Sequence, residues 1–223
     1  MITKTEFSIN LKLLETAIQS IQSIKLIDGR LTLNEPTGRF FYDPWTIKEE
    51  FKDTVWEEVL NSLNCPIGEA RLINLEIGSC YSSHADIDDR WHLSLIGERS
   101  YLIDLDNEVM HQTNDIGIWY SMDASRRHTA ANFGNSDRIQ LVVRQLLLTN
   151  TLHDPVSIEL KLTGAGRYQV DDHLSPWLNL MCKNGVIADI YHTSKSIKLM
   201  IEKTYIEQLE NIVKLTPLEL LRD

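Results

Sequence analysis

The chain has 223 residues, a formal net charge of −10 at pH 7, 43% hydrophobic residues and 24% charged residues. No apolar run approaches the ~20 residues that a membrane-spanning helix requires, and an acidic chain lacks the basic footprint that binding to nucleic-acid phosphates needs. The composition therefore excludes a transmembrane protein and disfavours a nucleic-acid-binding one, and cytoplasmic residence is the default expectation.

The chain is short enough to fold around one sizeable core, so we expect a single domain over residues 1–223. Within it, residues 1–65 are expected to form a helical support, residues 66–150 a β-rich core and residues 151–223 a C-terminal helical segment. Three cysteines, Cys65, Cys80 and Cys182, are odd in number and far apart. This pattern favours reduced thiols over a disulfide framework or a structural zinc site.

Two amphipathic helices are expected near the N-terminus. The apolar residues of the first recur every three or four positions, as one helix face requires: Leu11, Leu14, Ile18 and Ile21. A second helix is expected after Pro44, where Thr46 and Glu49 have the spacing of a capping box. Its apolar face would consist of Phe51, Val55, Val59 and Leu63. The intervening residues 31–43 are predicted to form a loop.

Short β-prone runs separated by turn residues follow. The predicted strands are Arg71–Ile77, Trp91–Ile96, Tyr101–Leu105, Gly117–Met122 and Arg138–Leu148. Closely spaced strands without intervening helices indicate an antiparallel sandwich or barrel of the jelly-roll type. The pattern after Pro155 turns helical, with one helix from Ser175-Pro176 to Asn184-Gly185 and a last one from about Ser196 to Lys214. We therefore predict a mainly β fold with flanking helices.

A candidate metal site lies at Ser83-His84-Ala85-Asp86, after a predicted strand. Residues i and i+2 of an extended chain point to the same side, so His84 and Asp86 can reach one ion. His128 lies 42 residues after Asp86 and supplies a third ligand if two strands of one sheet meet there. Two histidines and one carboxylate form the facial triad of non-haem iron(II) oxygenases. A His-x-Asp pair alone arises often by chance, and a solvated turn is the alternative.

Arg138 strengthens the case for a site. It lies ten residues beyond His128, at the start of a predicted strand. A guanidinium there can bind a carboxylate through two parallel hydrogen bonds. Arg144, six residues further along the same strand, shares the face of Arg138 and offers a second carboxylate anchor.

A resemblance to a known family rests on these residues and their spacing. The pattern consists of His84-x-Asp86, Arg90-Trp91-His92-Leu93, and Asp123-Ala124 leading to His128, Asn132 and Arg138. It resembles the aspartyl/asparaginyl β-hydroxylase and bacterial proline hydroxylase branch of the iron(II)- and 2-oxoglutarate-dependent oxygenases, over roughly residues 70–148. The resemblance implies a double-stranded β-helix, also called a jelly roll or cupin-like fold, with flanking helices.

The resemblance also implies roles for individual residues. The three ligands named above would hold iron(II), and Arg138 would bind the distal carboxylate of the cosubstrate 2-oxoglutarate. His92 would contact the metal-bound carboxylate of 2-oxoglutarate, and Arg90 would face the substrate. One departure is Ile73, which stands where the family has a hydroxyl residue that assists the distal carboxylate. Arg71 and Asn74 are the candidate substitutes.

The residues around His128 leave further alternatives open. Arg126 and Arg127 precede it in a segment predicted to overhang the barrel mouth, and Arg127 is a candidate substrate contact. A solvated pair is the commoner arrangement for neighbouring arginines. Asn132 is expected in a loop or in contact with a ligand residue rather than on the metal.

We expect hydroxylation of a small-molecule or peptide substrate that carries an anionic group, with an amino acid as the leading candidate. The C-terminal helices would either close over the barrel mouth or form a homodimer, and the sequence does not choose between these roles. Two other classes stay open. One is a cupin-like metal enzyme that does not use 2-oxoglutarate, and the other is a noncatalytic ligand-binding barrel.

Overall fold

The computed structural model describes residues 2–162, 173–193 and 195–222, and the fold is mainly β. The first strands are β1 (Ile2–Ser8), β2 (Arg30–Thr32), β3 (Asn34–Pro36), β4 (Trp45–Ile47), β5 (Ala70–Leu75), β6 (Arg90–Ile96), β7 (Ser100–Asp104), β8 (Val109–Gln112), β9 (Ile118–Met122), β10 (His128–Asn132) and β11 (Arg138–Arg144). The C-terminal strands are β12 (Pro155–Leu162), β13 (Ile187–His192), β14 (Ser196–Glu202) and β15 (Leu218–Arg222). The helices are α1 (Leu11–Ile21), α2 (Val55–Asn61), α3 (Ser175–Lys183) and α4 (Ile206–Val213).

The first predicted helix is confirmed, and the start of the second is corrected. Helix α1 begins after Asn10, whose side chain accepts a hydrogen bond from the Leu13 backbone N–H at 2.9 Å. The predicted cap at Thr46 is wrong because that residue lies in β4, which pairs with β3. Helix α2 instead begins after Thr54, whose side chain caps it. The predicted loop over residues 31–43 likewise contains strand residues of β2 and β3.

Two antiparallel sheets form the centre of the molecule. The larger sheet has the strand order β1-β9-β6-β11-β5-β2, and the smaller has the order β10-β7-β8. Isolated bridges pair Cys80 with Ala131 and His84 with His128, so residues 80–84 lie beside β10 as a further edge of the smaller sheet. From β5 to β11 the chain therefore passes repeatedly from one sheet to the other.

The two faces of the larger sheet have different neighbours, as the period-two geometry of strands requires. On β11, Ile139, Leu141 and Val143 join the apolar cluster that includes α1 and α2 residues such as Leu14 and Trp56. The alternate residues of β11 face the smaller sheet and line a cavity: Arg138, Gln140 and Val142. The helices thus cover one face of the sheet, and polar side chains are gathered on the other.

The C-terminal segment is not the helical unit that the sequence predicted. It forms a four-stranded antiparallel sheet in the order β13-β14-β12-β15, together with α3 and α4. The single helix expected over 196–214 is wrong because Ile197, Leu199 and Ile201 alternate inward from a strand, and the α-helix begins only at Ile206, after a 3-10 turn. Helix α3 ends as expected before Gly185, which has a φ of +76°. Residues 163–172 of the predicted helical segment lie outside the described residues.

Helix α3 starts at Ser175 itself, one residue before the predicted first helical position. None of the described helices is long and apolar enough to cross a membrane. The three cysteines are free thiols, with Cys182 buried and the other two exposed.

Candidate metal centre

His84 and His128 face each other across a backbone bridge at one end of the cavity. The His84 N–H donates to the His128 carbonyl at 3.1 Å, and the reverse hydrogen bond is 2.9 Å long. The centroids of the two imidazole rings are 4.4 Å apart. Antiparallel pairing therefore brings together two ligands that are 44 residues apart in the sequence.

Both imidazole rings are oriented by hydrogen bonds to backbone carbonyls. The Nδ1 atom of His84 lies 2.9 Å from the Ser82 carbonyl oxygen, and Nδ1 of His128 lies 2.8 Å from the Arg126 carbonyl oxygen. A carbonyl only accepts, so each Nδ1 carries the proton and each Nε2 keeps its lone pair for a metal ion. Burial, together with the neighbouring His84 ring, lowers the pKa of His128 to about 4, so His128 is neutral at pH 7.

Asp86 completes the group. Its Oδ2 atom lies 3.8 Å from Nε2 of each histidine, while its Oδ1 atom forms an ion pair with Nη2 of Arg90 at 2.9 Å. Burial opposes ionisation of this carboxyl group, but Arg90 and His128 outweigh it and hold the pKa of Asp86 well below its usual range. One oxygen is thus fixed by Arg90, and the other is directed at the histidines.

These three residues form a group that could hold a metal ion. Their ligand atoms all lie within 4.8 Å of one another, and the Nε2–Oδ2 distances of 3.8 Å are shorter than the ~4.2 Å that two metal–ligand bonds of about 2.1 Å can span. Two nitrogen donors and one carboxylate oxygen on one side of an ion match the donor set of non-haem iron(II) sites. The cavity borders this group, which leaves space for further ligands.

Arg138 lies deep in the same cavity without a carboxylate partner in the described part of the chain. It is 2% exposed, and its guanidinium donates to Ser100 Oγ through Nε and to Gln140 Oε1 through Nη2. Burial lowers the pKa of Arg138 to about 10, because two neutral acceptors do not replace the water that the charge has lost. Hydrogen bonds from a guanidinium to a carboxylate are among the strongest in proteins, so a buried guanidinium with only neutral acceptors is suited to bind an anion.

His92 lies beside Arg138 in the sandwich interior. Its Nδ1 atom is 3.2 Å from Gln140 Oε1, the oxygen that also accepts from Arg138. Burial and the Arg138 charge lower the pKa of His92 to about 3, so this ring is neutral at pH 7. Its Nε2 atom is buried and has no hydrogen-bond partner in the described residues. In the cavity wall this atom is placed to form a hydrogen bond with a water molecule, an ion or a bound ligand.

The cavity has a volume of about 340 Å³ and connects these groups. His84, Asp86 and His128 line it, as do His92, Arg90 and Arg138. The sequence predicted each of these six residues as part of one site, and the fold brings them together. Arg90 is not a free substrate contact, because its Nη2 atom forms ion pairs with Asp86 at 2.9 Å and with Asp88 at 3.2 Å. Its Nη1 atom is buried without a described partner.

Three other site candidates from the sequence do not line the cavity: Arg127, Arg144 and Asn132. Arg127 lies at a turn, where its Nε atom is 3.0 Å from Asp106 Oδ1, and it is not among the cavity-lining residues. Arg144 does not line the cavity and pairs with Asp88 at 2.6 Å and with Glu69 at 3.0 Å. It is thus already bound to two carboxylates of the protein. The Asn132 side chain donates to the Leu75 and Ser136 carbonyls, and so organises the turn after β10.

The hydroxyl group beside Arg138 comes from a residue that the sequence did not single out. Ile73 lines the cavity, and the Asn74 side chain donates to Asp137 at 3.2 Å, away from Arg138. Ser100, at the start of β7, supplies the hydroxyl instead. The smaller sheet therefore supplies the hydroxyl group that Ile73 on β5 lacks, through a contact between the two sheets.

Gln140 and Asn179 are further polar residues that sequence reasoning missed. Gln140 follows Arg138 by two positions, so period two alone would have placed it on the cavity face. Asn179 is a buried α3 residue that donates to the Ile87 carbonyl at 2.8 Å and to Asp89 Oδ1 at 3.2 Å. It thus fixes the loop that follows Asp86, and no sequence signal connects α3 with that loop.

No protein-family model matches the chain, and the curated proteins include no significant match either.

Proposed function

We propose that this chain is an iron(II)- and 2-oxoglutarate-dependent oxygenase that hydroxylates a substrate carrying an anionic group. The observation that carries this proposal is one cavity with a His-Asp-His group at one end and a buried guanidinium without a carboxylate partner among the described residues further inside. A metal site alone fits many enzymes. The added buried cation matches a cosubstrate that chelates a metal at one end and carries a second carboxylate at the other.

The strand order supports the finer fold proposed for the centre of the chain, a jelly roll of the double-stranded β-helix type. Strands β5, β11, β6 and β9 are neighbours in the larger sheet, whereas residues 80–84, β10, β7 and β8 are neighbours in the smaller one. Successive segments alternate between the sheets in the manner of a ribbon wound into a helix. The resemblance of residues 70–148 to the aspartyl/asparaginyl β-hydroxylase branch agrees with this winding.

When bound, iron(II) with 2-oxoglutarate and dioxygen supplies an oxidant strong enough to break an unactivated C–H bond, with succinate and carbon dioxide as co-products. His84, Asp86 and His128 would hold the ion, with each histidine Nδ1 proton fixed on a backbone carbonyl. Arg138 would hold the distal carboxylate, while Ser100 and Gln140 keep the guanidinium in place. The apolar residues Leu102 and Met122 line the cavity as well and limit the access of water.

This proposal is tested by titrating the protein under anaerobic conditions with iron(II) and then with 2-oxoglutarate, and by measuring the binding of each with calorimetry. We expect one iron per chain and 2-oxoglutarate binding that depends on the metal. Iron binding without 2-oxoglutarate binding would favour a cupin-like metal enzyme of another class. The absence of any metal binding would favour a noncatalytic ligand-binding barrel. Asp106→Asn is a matched control for Asp86→Asn, because Asp106 pairs with Arg127 outside the cavity.

A further inference from the structure

Besides Arg138 and Arg90, the cavity has two further arginines on the side formed by β5 and β2. Arg71 on β5 and Arg30 on β2 line it. Arg30 pairs with Ile73 and Thr32 pairs with Arg71, so the two arginines are diagonal neighbours on one face of an antiparallel strand pair. Such neighbours lie roughly 7–8 Å apart, within reach of long side chains. Both guanidinium groups therefore border the same part of the cavity.

The charge of Arg71 is only partly compensated. Its Nε atom lies 3.5 Å from Glu69 Oε2, an oxygen that Arg144 approaches more closely, at 3.0 Å. The Nε atom is buried and makes no hydrogen bond to any described residue. Burial, partly offset by Glu69, lowers the pKa of Arg71 to about 10. Arg30 has no ion pair in the described part of the chain.

The backbone of Arg30 is held in place although its side chain is exposed. Ile27 and Arg30 exchange two backbone hydrogen bonds of 2.9 Å around a tight turn. The central residues, Asp28 and Gly29, have φ values of +48° and +71°, as a type I′ hairpin turn requires. The Asn74 N–H then donates to the Gly29 carbonyl at 2.7 Å. This turn fixes Arg30 against β5, so Arg30 is part of a built wall.

The charges around the cavity do not balance. Four arginines line it, and a fifth, Arg144, shares Asp88 with one of them; the four are Arg30, Arg71, Arg90 and Arg138. The carboxylates that pair with them in the described residues are Glu69, Asp86 and Asp88. An iron(II) ion and a 2-oxoglutarate dianion would cancel each other, so a surplus of two positive charges would persist. Such a wall attracts and holds a further anion.

The size of the cavity restricts what that anion can be. A volume of about 340 Å³ lies near the lower end of the ~300–1,000 Å³ range of ligand pockets, and the cosubstrate must share it. Resting on the oxygenase function proposed above, we propose that Arg71 and Arg30 form a subsite that binds the carboxylate of a small free organic acid, the substrate of the reaction. This assigns substrate recognition to Arg71 and Arg30, whereas Arg90 is paired with Asp86 and Asp88.

Anaerobic calorimetry on the full chain loaded with iron(II) and 2-oxoglutarate tests the subsite. The probes are the free L-amino acids and the primary amide of each, since the amide differs only by the loss of the carboxylate charge. At least one acid should bind, and its amide should bind at least tenfold more weakly. The variants Arg71→Gln and Arg30→Gln should each weaken binding of that acid by about tenfold to a hundredfold, the range for a hydrogen bond to a charged group. Lys12→Gln, on the exposed face of α1, should not change it.

The outcomes separate the subsite from the function on which it rests. If the wild-type protein fails to bind iron(II) and 2-oxoglutarate, the proposed function is overturned. If it binds both but no acid, or binds acid and amide equally, only the subsite is overturned. Arg30→Gln keeps the test decisive if Arg71→Gln does not fold, because the exposed Arg30 side chain has no described partner to lose. Unchanged acid affinity in Arg30→Gln would remove Arg30 from the subsite.

Discussion

Arg138 and Arg144 lie on the same strand and the same face, yet we expect opposite consequences when each is replaced by methionine. Arg138 has only neutral acceptors, Ser100 and Gln140. Burial lowers its pKa to about 10, and at about 1.4 kcal/mol per pKa unit the burial of its charge costs about 3 kcal/mol. The two hydrogen bonds of the charged group return about the same amount. Arg138→Met should therefore change the free energy of unfolding of the ligand-free protein by less than about 2 kcal/mol.

Arg144→Met should be far more damaging. It removes the guanidinium that pairs with Asp88, which is 1% exposed, and with Glu69. Asp88 would keep only its longer ion pair with Arg90, at 3.2 Å, and removing one partner of a buried ion pair costs about 3–5 kcal/mol. Denaturant unfolding of both variants in the presence of a chelator measures the difference directly.

The same pair of variants separates ligand binding from stability. Iron(II) and 2-oxoglutarate should each stabilise the wild-type protein by about 2.7 kcal/mol at a hundredfold excess over the respective Kd. Arg138→Met should lose the part of this stabilisation that depends on 2-oxoglutarate and retain the part due to iron. If Arg138→Met were as unstable as Arg144→Met, Arg138 would be a structural residue and the reasoning would be refuted.

Three further predictions concern residues around the site. The pKa of His92 is about 3 in the folded state and ~6.5 when unfolded, so its contribution to stability is present above pH 6.5 and is lost as the pH falls. Between pH 7 and pH 5 the wild-type free energy of unfolding should fall by about 2 kcal/mol more than that of His92→Gln, measured with a chelator; equal falls would contradict this. Ser100→Ala removes one acceptor from Arg138, and calorimetry should show 2-oxoglutarate affinity about tenfold weaker with iron affinity unchanged, whereas unchanged cosubstrate affinity would argue against a role for the hydroxyl. Asn179→Ala frees the loop after Asp86 and should weaken iron(II) binding about tenfold in a competition titration with a chelator, while a variant of full affinity would show that α3 does not position the site.

The residues of the candidate site were predicted from short-range rules together with the resemblance to a known family. His84 and Asp86 are two residues apart in extended chain, as are Arg90 and His92, and each pair must share a side. Arg138 was recognisable by its spacing from His128. Sequence spacing cannot identify a residue on the opposite sheet that forms a hydrogen bond with a site residue. Ser100 reaches Arg138 only because the two sheets face each other, and this contact depends on the whole fold.

The secondary-structure prediction failed over residues 196–214, where the apolar residues fit both a helical spacing and the two-residue period of a strand. Ile201, Tyr205, Leu209 and Ile212 have helical spacing, but Ile197 and Leu199 before them alternate with period two together with Ile201. The sheet partner β12 decides the outcome, since it pairs with β14 from Pro155 to Lys161. Edge strands such as β1 were missed for another reason. Most of their residues are polar and partly exposed, so no apolar pattern marks them.

The most direct test of the proposed reaction is succinate formation from 2-oxoglutarate in air with iron(II), compared between the wild-type protein and His128→Ala. His128→Ala removes one Nε2 ligand and leaves Arg138 in place. The proposal predicts succinate from the wild-type protein even without added substrate, a further rise with a matching acid, and none from His128→Ala above the level of free iron. Equal succinate from both proteins, or none from the wild-type protein loaded with iron, would contradict the proposal that this cavity is an oxygenase site.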